Sequence, residues 1–174
     1  MRTIRKAESN DIPAILSVME AARGIMRSSG NLHQWGEGYP SAEAIDSDLR
    51  RGGGFVIEDD GRITAYFAFL PSPEPTYSYI KGGSWLDDVL PYHVIHRIAS
   101  FPDAHGIFTD MLAWCAERES NIRIDTHHDN RIMKRLLQKH GFSYCGIIYL
   151  ASGDERLAYQ RLTDSTNLIK TIGQ

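Results

Sequence analysis

Length, composition and charge limit what kind of protein this chain can be. Its 174 residues are 42% hydrophobic and 24% charged, enough for one hydrophobic core and too few for two ordinary domains. The 19 Lys and Arg residues against 22 Asp and Glu give a formal net charge of -3, which argues against nucleic-acid binding. No apolar run approaches the roughly 20 residues of a membrane-spanning helix. Two cysteines and a first segment without signal-peptide character predict a soluble, cytoplasmic protein with no membrane contact.

The first part of the chain predicts a strand followed by two helices. Residues 3–6 alternate as a short strand, and the apolar residues between Ile12 and Met19 recur at helical spacing behind the cap-like Ser9 and Asn10. Ser41 then suits the N-cap of a second, shorter helix, which the glycines at 52–54 end.

An antiparallel hairpin and a long connection come next. Residues 55–57 and 63–70 are apolar, and the Asp-Asp-Gly sequence at 59–61 between them is a strong hairpin signal. Prolines then end the second strand and open an excursion over residues 71–91. Connections of that length are commonly functional.

The second half of the chain contains a predicted parallel unit. Residues 92–100 indicate a strand, the apolar stripe from Phe108 to Cys115 a helix that ends near Asn121, and residues 122–126 the next strand. Two strands flanking a helix predict a parallel crossover.

A further helix and a hairpin complete the expected domain. Apolar residues from Met133 to His140 stripe a helix closed by Gly141, and residues 144–150 and 156–162 form a C-terminal hairpin. The pattern predicts a single α/β domain over residues 1–162: a mixed, mostly antiparallel sheet with a central parallel strand pair and helices on both faces. Residues 163–174 are predicted to form a tail, whose Leu168, Ile169 and Ile172 could dock on a second subunit of a homodimer.

The turn at residues 100–109 is the first candidate site. Gly106 would let backbone amides approach an anion at the N-terminus of the following helix. A simple strand-to-helix turn would have the same sequence, so both interpretations stay open here.

The order of elements resembles the GNAT superfamily of N-acyltransferases, which transfer an acyl group from a coenzyme A thioester to an amine. The resemblance covers residues 3–162. It rests on four segments of the sequence, namely residues 4–12, 98–112, 122–130 and 136–142 with the closing Gly141 and Phe142.

The resemblance implies acetyl-CoA, or another acyl-CoA, as cosubstrate and an amine of a small molecule or peptide as acceptor. The implied cofactor-binding residues lie on the strand, the turn and the helix start that precede Asp110, with one asparagine beyond them: Ile98, Ala99, Ser100, Ala104, His105, Gly106, Ile107, Phe108, Thr109 and Asn130. Within this set, the backbones of Ile98 and Ser100 would pair with the pantetheine arm, residues 104–109 would surround the pyrophosphate, and Asn130 would contact the cofactor.

The sequence departs from the family pattern at two places. In the phosphate loop, Asp103 stands where the family usually has Gln or Arg, and Phe108 where it has Gly or Ala. We expect this loop to be tighter and less favourable to anions, with His105, Arg131 or Lys134 supplying positive charge. Leu137 occupies the position of a tyrosine that in many members protonates the departing thiolate, so that acid must come from elsewhere or be absent.

Two histidines are candidate general bases. An ammonium with a pKa of about 10.4 costs roughly 4.6 kcal/mol to deprotonate at pH 7, so a base would assist amine attack. His96 lies two residues before Ile98, and strand alternation predicts that both share a face near the thioester. His127 is the second candidate. Each could equally be a hydrogen-bonded histidine of the sheet.

Three residues of the C-terminal hairpin, Tyr144, Cys145 and Tyr149, are candidates for the thiolate acid, on a strand that the family places beside the diverging pair. Tyr144 could donate a proton, and Cys145 could donate a proton or accept the acyl group. A lone cysteine on a strand is more often a small core residue. Direct attack by the amine needs no covalent step.

Aromatic residues in the two long connections predict the acceptor pocket. Trp35, Tyr39, Tyr77, Tyr79 and Trp85 would form walls suited to an amine cation, with Asp87 as carboxylate. The same residues could instead form a small core that holds the connections in place. No metal site is expected, because His93 and His96 point to opposite faces and His127 and His128 are adjacent.

The sequence supports two functions. The first is an N-acyltransferase that uses acetyl-CoA and a direct attack by the amine. The second is a noncatalytic module of the same fold that binds a ligand or a protein, which the altered phosphate loop and Leu137 favour.

Overall fold

The structure is a computed structural model that describes residues 1–163. The strands are β1 (Arg2–Lys6), β2 (Gly54–Asp59), β3 (Arg62–Pro71), β4 (His93–Ser100), β5 (Asn121–Thr126), β6 (Ser143–Tyr149) and β7 (Glu155–Leu162). The helices are α1 (Ile12–Ser28), α2 (Ala42–Arg50), α3 (Ile107–Ala116) and α4 (Arg131–Lys139). Their order confirms the sequence prediction. The predicted tail lies outside the described residues except for Thr163.

The strands form one seven-stranded sheet in the order β1-β2-β3-β4-β5-β7-β6. Only β4 and β5 run parallel, and every other neighbouring pair is antiparallel. Side chains of α1 and α2 pack on one face of the sheet, and α3 and α4 cover the other. The mixed sheet with helices on both faces is therefore confirmed.

Local side-chain contacts fix where the helices begin and end. Ser9 and Asn10 form a 3-10 turn instead of capping α1, and the Asp11 carboxylate accepts from the Glu8 amide at 2.8 Å. The Ser41 hydroxyl caps α2 as predicted. Helix α3 ends at Ala116, before the predicted Asn121, and Arg118 donates to the Trp114 carbonyl at 2.7 Å, which satisfies one of the exposed C-terminal oxygens.

Strands β4 and β5 pair over a short stretch and then diverge. Their register contains only His93 with Ile122 and Val94 with Arg123. Beyond these pairs, the β4 edge that faces β5 carries backbone groups with no partner strand in the described sheet. A cleft therefore opens in the middle of the sheet, as expected for a crevice between diverging strands.

A β-bulge in β4 corrects one prediction about His96. Arg97 has a φ of 54°, and the pairing with β3 shifts from Tyr66–Ala99 to Ala68–His96. The extra residue reverses the alternation of side chains. Ile95 and Ile98 consequently both pack on the α3 face. His96 contacts residues of the opposite face, so the expectation that it shares a face with Ile98 is wrong.

Candidate active site

Two connected cavities occupy the cleft between β4 and β5. The first has a volume of about 540 Å³ and is walled by the segment 33–39, Glu74, β4, β5 and the start of β7. The second has a volume of about 400 Å³ and lies between α1, β4, α3 and α4. Met26, Ile98, Asn130 and Met133 line both cavities. The two cavities therefore adjoin at these four residues.

All ten residues that the sequence assigned to cofactor binding line the second cavity, from Ile98 to Thr109 and at Asn130. Gly106 is the N-cap of α3 and has a φ of 75°. Residues with a Cβ rarely adopt this backbone conformation. The amides of Ile107, Phe108 and Thr109 belong to the first turn, where an α-helix offers no internal acceptor. The cavity thus ends at a set of free N–H donors.

The two unusual residues of the phosphate loop have partners of their own. Asp103 forms an exposed ion pair with Arg62 at 2.8 Å. Phe108 is 6% exposed and belongs to the core that includes Leu137. The expected effect of the two residues on anion binding stays a prediction.

The cations near this cavity differ from the expected set. His105 lines it as predicted, and Lys139 does so without having been predicted. Arg131 and Lys134 instead line a separate surface depression that also includes Tyr144. Of the three cations that the sequence offered as alternatives, His105 is therefore the one that lines this cavity.

Asn130 connects the two cavities through its side chain. Its Oδ1 accepts from the Met133 amide at 3.0 Å, and its Nδ2 donates to Gln34 Oε1 at 2.8 Å. The residue is 7% exposed. Asn130 therefore caps α4 and holds the segment 33–39 over the cleft, a role that leaves one N–H of its amide for a ligand.

Three polar residues, Glu74, Asp125 and Tyr77, surround His96 in the first cavity. Glu74 Oε2 lies 3.1 Å from His96 Nε2, and Asp125 Oδ2 lies 3.7 Å from His96 Nδ1. The Tyr77 hydroxyl donates to the same Asp125 oxygen at 2.6 Å. Burial alone would raise the pKa of Glu74, but the hydrogen bond and charge of His96, with bonds from Thr76, lower it to about 2. Glu74 is therefore a carboxylate at neutral pH.

His127, the second candidate base, lies at the end of β5 among other polar side chains. Its Nδ1 accepts from the Asp129 amide at 3.2 Å. Burial, followed by the charges of His128 and Arg156, lowers its pKa. His127, His128 and Asp129 each offer one atom that could bind a metal ion, and these three atoms lie within 4.8 Å of one another. They are closer together than the sequence analysis expected for two adjacent histidines. The absence of a metal site stays a prediction.

Tyr144 and Cys145 lie outside both cavities. Strand β7 is inserted between β5 and β6, so the expectation that their strand adjoins the diverging pair is wrong. Tyr144 is 53% exposed on the outer strand. Cys145 is 4% exposed in a cluster with Tyr77 and Trp85, and burial raises the pKa of its thiol.

In an acyltransferase of the kind that the sequence resembles, replacing Cys145 by serine should leave acyl transfer within about twofold of the wild type, because a buried thiol with a raised pKa is a poor nucleophile. Steady-state kinetics with acetyl-CoA and an amine acceptor measure this. Cys115→Ser is the matched control, since Cys115 is also buried and lies in the other core. Loss of transfer in the Cys145 variant alone would point to an acyl-enzyme step.

The aromatic residues predicted to form the acceptor pocket are split between lining a cavity and forming a small core. Trp35 and Tyr39 line the first cavity. Tyr77 and Trp85 are buried in a small core, in which Trp85 Nε1 donates to the Tyr77 carbonyl at 3.1 Å. Tyr79 is 63% exposed and contacts the ring of Tyr149. Asp87 accepts from the amides of its own loop and is outside the cavity lining.

Sequence reasoning missed the six charged residues that line the first cavity in the described part of the chain, which are Arg51, Glu74, Arg97, Asp125, Asp154 and Arg156. Glu74 follows the prolines of the long connection, Asp125 interrupts an apolar strand, and Arg156 begins the last strand. Asp125 could have been found from the sequence, because a carboxylate within an otherwise apolar strand is unusual and indicates a functional or paired residue. Glu74 and Arg156 have no comparable local signal.

Solved structures with this arrangement are acetyltransferases. An acetyltransferase of the GNAT family from Streptococcus agalactiae 2603 is 33% identical, with a TM-score of 0.84 over 94% of this chain and 96% of that one. A GNAT-family acetyltransferase from Listeria monocytogenes has 17% identity and a TM-score of 0.69, covering 93% and 95%. The ribosomal-protein-S18-alanine N-acetyltransferase from Escherichia coli has 16% identity and a TM-score of 0.59, covering 93% and 94%. No protein-family model matches the sequence, and no curated protein matches it significantly.

The similarity to the streptococcal structure, at 33% identity over nearly the whole of both chains, identifies the class of protein. The chain belongs to the GNAT family of acetyltransferases. No helix among residues 1–163 is long and apolar enough to cross a membrane.

Proposed function

We propose that the protein transfers an acetyl group from acetyl-CoA to an amine of a small molecule or peptide by direct attack of the amine. The single observation that carries the proposal is the connection of two different cavities at Ile98 and Asn130. One cavity ends at free amides of a helix N-terminus, which suit a pyrophosphate. The other contains an imidazole between two carboxylates, which suits an amine.

The second cavity has the groups that a coenzyme A molecule needs. The α3 amides and the cations of Lys139 and His105 would hold the pyrophosphate. The unpaired edge of β4 beyond Val94 would bond to the amides of the pantetheine arm. Acetyl-CoA supplies the activated acyl group as a thioester. The donor end would then lie near Ile98, where the two cavities meet.

The first cavity would bind the acceptor and remove its proton. The carboxylates of Glu74 and Asp125 attract an ammonium ion, and Trp35 with Tyr39 provides aromatic walls. Glu74 bonds His96 Nε2 and orients the ring. The separation of 3.7 Å between Nδ1 and Asp125 exceeds the hydrogen-bond range. Nδ1 therefore is the atom that would accept the proton as the amine attacks.

The first test is thermal unfolding with and without acetyl-CoA. Ligand at 100 times its dissociation constant stabilises the folded state by about 2.7 kcal/mol, which corresponds to roughly 5 to 10 °C for a domain of this size. Gly106→Glu should remove this shift, because the new carboxylate would lie against the pyrophosphate. Gly106→Asn is the control, since asparagine tolerates the positive φ without adding charge.

Turnover with a panel of amines separates the two functions that the sequence supports. Release of coenzyme A that depends on an added amine supports the transferase. A thermal shift with acetyl-CoA and no turnover with any amine would favour the noncatalytic binding module. No shift at millimolar acetyl-CoA would remove the basis of the proposal.

A further inference from the structure

Arg156 is a buried cation in the wall of the first cavity. The residue is 6% exposed and lies at the start of β7. Its guanidinium donates to the Gln34 carbonyl and to the Glu155 carbonyl, each at 2.9 Å. Among residues 1–163, no carboxylate forms an ion pair with it. The Arg156 guanidinium has five N–H donors, and two neutral carbonyls accept hydrogen bonds from it.

Two other arginines with little side-chain exposure are each paired with a carboxylate. Arg97 pairs with Asp48, and Arg123 pairs with Asp88 at 3.0 Å. Arg123 also stacks on the rings of Trp85 and Tyr92. Because a buried charge without a counter-ion is costly, proteins rarely keep one unless a ligand supplies the opposite charge. Arg156 differs from Arg97 and Arg123 in this respect, because it lines the first cavity and forms no ion pair with any carboxylate of residues 1–163.

The surroundings of Arg156 favour an anion. Its positive charge is one of the influences that lower the pKa of His127, so the two side chains are close enough to interact. Strand pairing places Asp125 opposite Ala158. Arg156 is two residues before Ala158, on the same face and roughly 6 to 7 Å along the strand. Glu74 and Asp125 therefore line the cavity around His96, and Arg156 lines it at a position further along β7. Asp154, Arg51 and Arg97 line the same cavity, and of these Arg97 is paired with Asp48.

We propose that the amine acceptor also carries a carboxylate, and that Arg156 binds this carboxylate while Glu74 and Asp125 receive the ammonium group. The inference rests on the proposed function and names its substrate class, an amino acid or a related amino carboxylate. A guanidinium presents two parallel N–H donors that match a carboxylate. One guanidinium also balances one carboxylate charge, whereas a phosphate ester carries about two at neutral pH.

The test compares amino acids with the amines that their decarboxylation gives, each with acetyl-CoA and the full-length protein. The wild type should acetylate the preferred amino acid with a kcat/KM roughly tenfold or more above that of its decarboxylated counterpart. Arg156→Gln should abolish this preference, mainly by raising KM for the amino acid. Arg156→Lys should retain part of it, because the charge remains while the paired donors are lost.

Controls separate a specific loss from a general one. Arg161→Gln changes another arginine of β7, one that lies outside both cavities. This variant should keep the preference for amino acids over their decarboxylated amines. Acetyl-CoA should shift the thermal unfolding of all variants equally. Phosphoethanolamine and β-alanine compare a phosphate with a carboxylate as the anionic group of the acceptor. A higher kcat/KM for phosphoethanolamine would overturn the assignment to a carboxylate.

The outcomes distinguish this inference from the proposed function. Equal kcat/KM for amino acids and decarboxylated amines in the wild type would overturn the inference and leave the transferase intact. If Arg156→Gln kept the preference for amino acids over their decarboxylated amines, a group other than Arg156 would bind the substrate carboxylate, and the role of Arg156 would be overturned. No acetylation of either class would overturn both.

Discussion

Replacing His96 by alanine should lower kcat/KM for acetyl transfer by about 10² to 10⁴-fold, the usual contribution of a general base. The imidazole lies 3.1 Å from Glu74 and faces Asp125 in the acceptor cavity. Without it, the attacking amine loses its proton acceptor, while the amides and cations of the second cavity are untouched. Steady-state kinetics should show the loss mainly in kcat, and the thermal shift by acetyl-CoA should persist.

His93→Ala is a matched control for this variant. His93 is on the same strand, is partly buried, and also lies 3.1 Å from a glutamate, Glu119. It contacts Phe69 on the α3 face, away from the acceptor cavity. Its replacement should leave transfer nearly unchanged. If His96→Ala were as active as His93→Ala, His96 would have no part in the reaction.

Glu74 should matter less than His96, because it orients the imidazole and does not accept the proton from the substrate. The pKa of Glu74 is about 2, so its carboxylate is ionised throughout the usual pH range of an assay. Titration of Glu74 therefore does not set the acid limb of a pH-rate profile measured above pH 4. A positional role for Glu74 agrees with its single hydrogen bond to Nε2.

The elements and the cofactor cavity could be predicted because both depend on local sequence. Apolar periodicity and turn residues gave the order of strands and helices. The second cavity is built largely from one continuous segment, Ile98 to Thr109, so a strand followed by a turn and a helix defines most of it. Taken alone, the turn at residues 100–109 is compatible with an ordinary strand-to-helix turn, and the resemblance to the family assigned it, together with Ile98, Ala99 and Asn130, to cofactor binding.

The acceptor cavity could not be predicted in the same way, because its residues come from distant segments. Tyr39, Glu74 and Arg156 meet only when the long connections fold over the sheet. The bulge at Arg97 also has no local signal, since neither Gly nor Asn occupies the position with positive φ. Without the bulge, strand alternation assigns His96 to the wrong face. The insertion of β7 beside β5 likewise depends on how the final hairpin docks.

The bulge that positions His96 is held by a buried ion pair, and breaking that pair should destabilise the fold strongly. Asp48 on α2 is 1% exposed and accepts from Arg97 Nε at 2.6 Å and from the Tyr66 hydroxyl at 2.8 Å. Burial, with the Asp48 carboxylate, raises the pKa of Tyr66, so its hydroxyl remains a donor. Asp48→Ala would leave a buried guanidinium and a buried hydroxyl without their acceptor.

We expect Asp48→Ala to cost about 3 to 5 kcal/mol of folding free energy, as for other buried pairs that lose one partner. The midpoint of thermal unfolding should fall by roughly 6 to 20 °C. Asp46→Ala is the control on the same helix, because Asp46 forms an exposed ion pair with Arg50 at 2.9 Å. That pair should contribute only about 0.3 to 0.5 kcal/mol.

A second substitution distinguishes the lost ion pair from a simple packing defect. Arg97→Gly in the Asp48→Ala background removes the unpaired charge, and glycine adopts the positive φ of the bulge without strain. Part of the lost stability should return, which a cavity at position 48 alone would not allow. Because Arg97 immediately follows His96, the single variant should also lose acetyl transfer, and the double variant should regain some of it. If Asp48→Ala unfolded at the same temperature as Asp46→Ala, the ion pair would not be what holds the bulge in place.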